Sequence, residues 1–118
     1  MKKASSCLVL LFCGVLCVAA GNPAVGKWNC VSDDGHGAVY NVSVILNDKQ
    51  GALSGSLIGN EETIPLIDPK LDGDLLTFKV FINENCTLLF RAKVAGNKLD
   101  GTFSCPEVSG TLKGTKQP

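Results

Sequence analysis

The chain has little of what most chemistries need. In 118 residues it holds one His, one Trp, one Tyr and one Met. No Gly-x-Ser-x-Gly, His-Glu-x-x-His or phosphate-binding glycine loop occurs, so the common hydrolytic and nucleotide-dependent reactions have no motif here. Beyond the first twenty residues there is no long apolar run, and hence no membrane-anchoring helix. Nor is there an i, i+3, i+4 apolar pattern with a cap, which argues against a helical domain. Basic residues are not in excess, which argues against nucleic acid as a partner.

Residues 1–20 read as a secretory signal peptide. Lys2 and Lys3 form a basic start, Leu8 to Val18 is apolar, and Val18-Ala19-Ala20 offers small residues at the cleavage site. The apolar run, about eleven residues, is short for a bilayer span. Cleavage after Ala20 leaves 98 residues (118 less 20), with nine basic against eleven acidic side chains and a net charge of −2. That length suits one domain, residues 21–118, in a secreted or periplasmic setting. Cys7, Cys13 and Cys17 leave with the leader, so Cys30, Cys86 and Cys105 remain, an odd number in an oxidising compartment.

What is present is β-forming sequence. Apolar alternation recurs every eight to fourteen residues between turns rich in Gly, Asn and Asp. This predicts eight strands, near 25–32, 38–46, 52–58, 63–71, 75–82, 86–94, 98–105 and 109–116. Pro65 and Pro69 make the fourth the most irregular, because neither can donate a ladder hydrogen bond. Gly51-Ala52-Leu53-Ser54-Gly55-Ser56-Leu57 and Asn97-Lys98-Leu99-Asp100-Gly101-Thr102-Phe103 form a faint repeat, each with a glycine inside a strand where the chain must bend. Eight sequential hairpins laid flat would leave two open edges, so the sequence predicts an all-β, eight-stranded antiparallel up-and-down barrel. Parity turns Trp28 inward, low in the first strand, as a plug. Phe78, Phe90, Phe103, Leu53 and Tyr40 face the same interior, and Phe81 and Ile67 face out.

In such a meander alternate loops share one end. The loops at one end carry Asp33, Asp34, His36, Glu61, Glu62, Glu84 and Glu107, with no Lys or Arg. The cysteines are predicted near the same rim. A two-residue turn at Gly96-Asn97 pairs Phe90 with Phe103 and Leu88 with Cys105, placing Cys86 one diagonal step from Cys105 on the same face. Cys86–Cys105 is therefore the preferred disulfide, with Cys30 a buried free thiol; Cys30–Cys105 and Cys30–Cys86 stay open. A Cys30/His36/Cys86/Cys105 zinc site has suitable ligands but no compact zinc spacing, so no metal or other cofactor is assigned. Asp33, Asp34 and His36 would suit acid–base work, yet Asp and Gly are ordinary turn residues, and no catalytic residue is assigned.

Gly26-Lys27-Trp28 at the start of a meander in a secreted chain resembles the calycin group of lipocalins, avidins and their relatives. The avidin opening of Gly-x-Trp followed by Gly-x-Leu-x-Gly is similar to Gly26-Lys27-Trp28 and Gly51-Ala52-Leu53-Ser54-Gly55. The Gly-x-Trp opening also resembles that of small secreted barrels of soil bacteria and of periplasmic metalloprotease inhibitors. The resemblance implies that a lysine of the last strand, Lys116 or Lys113, covers Trp28. It does not imply biotin binding, because biotin-binding relatives line their pockets with several Trp residues and this chain has one. The resulting expectation is a non-enzymatic barrel that binds a small apolar molecule or a protein at its acidic open end. The alternative is a structural or interaction module with a filled barrel, including a secreted-protease inhibitor. A void of several hundred Å³ at the rim separates the two.

Overall fold

The computed structural model describes residues 22–118, so the leader assigned to residues 1–20 lies outside the described residues. Nine strands follow one another: β1 (Gly26–Asp33), β2 (Val39–Lys49), β3 (Ala52–Gly59), β4 (Glu62–Pro65), β5 (Ile67–Asp72), β6 (Leu75–Asn83), β7 (Cys86–Ala95), β8 (Lys98–Cys105) and β9 (Val108–Lys116). They form one antiparallel sheet in the order β4-β3-β2-β1-β9-β8-β7-β6-β5, which curls into a nearly closed up-and-down barrel.

The strand number corrects the sequence expectation of eight. The stretch predicted as one strand over 63–71 is two. β4 pairs with β3 and β5 pairs with β6, both antiparallel, so the two pieces run in the same direction. The break has a local cause. Pro65 and Pro69 offer no backbone donor, Asp68 takes a φ of 50°, and the β5–β6 register shifts between Ile67 and Lys70. Between the pieces, Leu66 N–H donates to Gly55 O at 2.9 Å. The chain thus leaves one edge of the sheet as β4 and joins the other as β5, forming the seam of the barrel. Because its direction does not change, the loops that share an end are those expected.

Register follows the hairpin turns. Gly96, at φ 61°, closes the β7–β8 turn, and Phe90↔Phe103, Ala92↔Gly101 and Val94↔Leu99 pair as parity requires. Gly55 and Gly101 stand at matching close approaches. A Cβ at either would run into the neighbouring strand's backbone carbonyl, that of Ile45 or of Arg91. The faint repeat therefore marks two places where adjacent strands press together as the sheet curves.

Inward side chains fill the lower and middle barrel. Trp28, Val44, Leu46, Leu76, Phe78, Val80, Leu99 and Leu112 are fully buried, and no polar or charged residue is buried among the described residues. Phe78 stacks on Phe90 with ring centroids 4.7 Å apart, and Phe90 tilts against Phe103 at 5.8 Å. Tyr40 departs from the expected filling. It keeps the inward parity of Val44 and Leu46 but is 51% exposed, because it lies near the rim end of β2, above the packed layers. Leu53 is only half-buried against the core.

Candidate functional site

The two ends of the barrel are built differently. At the lower end Trp28 Nε1–H donates to Ala24 O at 2.9 Å. Lys116 lies across it, with Nζ 5.1 Å from the ring centroid and bonded to Pro23 O at 2.7 Å. Gly26 makes room for this cover, since the Lys116 methylenes lie 3.2–3.4 Å from where a Cβ would stand. The other candidate, Lys113, pairs with Val31 and is exposed. Gln117 N–H then bonds to Lys27 O, so the chain's last residues help to seal this floor.

The opposite end is open. The β1–β2 turn is held by its own carboxylates: Asp33 Oδ1 accepts from Gly35 N–H at 2.8 Å, and Asp34 Oδ1 accepts from His36 N–H at 2.8 Å and Ala38 N–H at 3.1 Å. These bonds, that from His36 first, hold the Asp34 carboxyl below the usual carboxylate range. No hydrogen bond or ion pair engages its second oxygen among the described residues. At the β6–β7 turn Asn83 Oδ1 accepts from Asn85 N–H, and the register shifts between Phe81 and Asn83. That shift helps to bring Cys86 against Cys105. The two are bonded, with Cα atoms 5.4 Å apart, and the bond ties β7 to β8 at the rim.

This bond also removes the zinc alternative, because two of its four proposed ligands are consumed. Among the described residues no group of three or more His, Cys, Asp and Glu side chains could hold a metal ion. Cys30 is free and buried, and it lies lower than the sequence placed it. It sits inside β1, paired with Val42 and Gly114, three residues before the strand ends. Burial pushes its thiol up to about 11.

A hollow of about 300 Å³ opens at this rim. Ala38, Ile82, Leu88, Phe103 and Val108 supply its apolar wall, with Cys86 beside them, and Ser32, Asp34 and Tyr40 supply its polar edge. A recess of about 90 Å³, lined also by Val42, Leu57, Val80 and Phe90, continues toward the phenylalanine stack and shares Ser32, Ile82, Leu88 and Phe103 with the mouth. A larger hollow of about 750 Å³ lies at the other end, along the seam between β3 and β5. It is an open groove edged by Asp68, Lys70 and Asp72, and it lacks the enclosed apolar wall of the mouth.

Of the acidic rim residues predicted from the sequence, Asp34 alone lines the mouth. Asp33 ends β1, Glu62 begins β4, and Glu61, Glu84 and Glu107 occupy the loops around them. His36 is exposed in its turn and does not line the hollow. The wall residues Ile82, Leu88 and Val108, and Tyr40 above them, were not singled out as a site. Their signal was available: large side chains of inward parity close to the rim ends of their strands. On the outer wall, Ile67 pairs across to Lys79 and Lys79 to Leu89. With Phe81, two residues further along β6, they leave three exposed apolar side chains on β5–β7.

No helix among the described residues is long and apolar enough to cross a membrane. The nearly closed barrel is compatible with a calycin-like fold, and its disulfide is compatible with a secreted or periplasmic location. Compared with protein-family models and with curated proteins, the chain matches none.

Proposed function

We propose that this chain is a secreted, non-enzymatic binding protein that takes a small apolar molecule into the mouth of its barrel. The hollow at the rim carries this reading, since a barrel filled to the top would have no place for a ligand. An apolar cavity of about 150 Å³ holds one benzene. The mouth is about twice that and suits a short alkyl chain or a pair of fused rings. Its disulfide-tied rim and tightly packed floor supply a preformed site that need not be ordered on binding.

An eight-carbon alcohol tests the reading. Burying six to eight methylenes at about 0.8 kcal/mol each offers about 5–6 kcal/mol, so the Kd is about 100 μM at the tightest, and what binding costs weakens it from there. Titration calorimetry should detect it, and amide chemical-shift mapping should place the changes at Leu88, Phe103 and Val108. Leu88→Trp, which fills the mouth from β7, should abolish binding while leaving the far-ultraviolet spectrum unchanged. Saturable binding that maps elsewhere, or survives Leu88→Trp intact, would refute the proposal. Native mass spectrometry of protein purified from its own host would then show which molecule fills the site.

A further inference from the structure

We infer that the molecule held in the mouth carries a positive charge at one end, as an organic ammonium with an apolar body. The inference rests on the binding role proposed for the mouth and adds the sign of the ligand's charge. The cavity supplies the site, and its edge supplies the selectivity. Among the groups that line it, Asp34 is the one charged side chain, beside the Tyr40 ring and the Ser32 hydroxyl. The turn uses one oxygen of Asp34 for both backbone bonds and leaves the other without a partner among the described residues. That second oxygen is a ready acceptor for an ammonium N–H. Tyr40, half-exposed, lines the same hollow and adds an aromatic ring to the groups a cation would meet there.

The surroundings reinforce the sign. The loops and strand ends around the mouth carry Asp33, Asp34, Glu61, Glu62, Glu84 and Glu107 and no Lys or Arg. The one ion pair among the described residues, Lys93 with Asp74, lies at the opposite end. His36, in the same turn as Asp34, is the one basic side chain among them, and six carboxylates outnumber it, so the potential of the rim stays negative. Its direction favours a cation over a neutral molecule and a neutral molecule over a carboxylate of the same length. A fatty acid fits the apolar wall as well as an alkylamine does, and the rim opposes it.

Octylammonium, octanol and octanoate share a tail and differ in the sign of the head. Calorimetric titration of the full mature chain with each should give octylammonium about three- to tenfold tighter than octanol, and octanoate weaker than octanol. The cation's advantage should shrink at high salt. Asp34→Asn keeps the oxygen that holds the turn and removes the charge, so it should bring the octylammonium-to-octanol ratio toward one. Asp74→Asn, at the far end, should leave the ratio at its starting value. Equal affinity for octylammonium and octanol, or tightest binding of octanoate, overturns the charge inference while the apolar cup stands. Binding of none of the three overturns both.

Discussion

Replacing Trp28 by alanine removes the largest of the fully buried side chains and tests how the barrel is closed at its floor. The indole lies fully buried in the core at the floor of the barrel, donates to the buried Ala24 carbonyl, and carries Lys116 over its ring. Truncating a buried aromatic to alanine costs about 3–5 kcal/mol, and the orphaned Ala24 carbonyl places this site toward the upper end. A domain of this size has a total stability of about 5–15 kcal/mol, so the variant should lose a third or more of it. Trp28→Phe keeps most of the apolar bulk and loses the donor, and should cost about 1–2 kcal/mol. Urea unfolding followed by far-ultraviolet circular dichroism measures both, since the substitution deletes the chain's one Trp and with it the natural fluorescence probe. A loss below about 1 kcal/mol for Trp28→Ala, with an unchanged denaturant slope, would refute the plug.

Three further outcomes follow from other parts of the structure. Cys30 is held protonated in the fold up to about pH 11 but ionises near 9 when exposed. Between those values the folded state binds the extra proton, so stability should fall as pH rises, by about 1.4 kcal/mol per unit at most. Cys30→Ala should lack that part of the alkaline slope in paired urea titrations, and native Cys30 should resist alkylation at pH 8. Replacing Cys86 and Cys105 together by serine opens a link between residues 19 apart, and should lower stability by about 3 kcal/mol on a chain-entropy estimate, read as a lower urea midpoint. Glu61, at φ 64°, follows Asn60, at φ 48°, in a two-residue turn that favours Asn-Gly. Glu61→Gly should therefore raise thermal stability by about 0.5–1 kcal/mol, and a drop would show that the Glu61 side chain makes an offsetting contribution.

Strand alternation and turn chemistry are local properties, and they made much of this protein legible before any coordinates. The turn at Gly96-Asn97 set the register of its flanking strands, and alternation assigned Trp28, Phe78 and Phe90 to the interior and Phe81 and Ile67 to the outside. It also brought Cys86 to Cys105, because a register on two neighbouring strands is fixed by their turn. Pairing between distant segments is another matter. That residues 63–71 would divide at Leu66 and exchange β3 for β6 depends on where the curled sheet meets itself, and no local pattern carries that information. The choice of Lys116 over Lys113 above Trp28 likewise depends on how β9 pairs with the distant β1, which sets Lys116 beside Trp28 and Lys113 beside Val31. The mouth depends on height as well as parity. Tyr40 shares the inward face of Val44 and Leu46, yet it stands above the layer that Phe90 and Phe103 complete, and only the assembled barrel shows where that layer ends. Sequence alone determined which side chains face inward and which charges gather at one end. Tertiary structure decided how far the interior is filled, and so that Asp34, of all the acidic residues at that rim, borders the space left open.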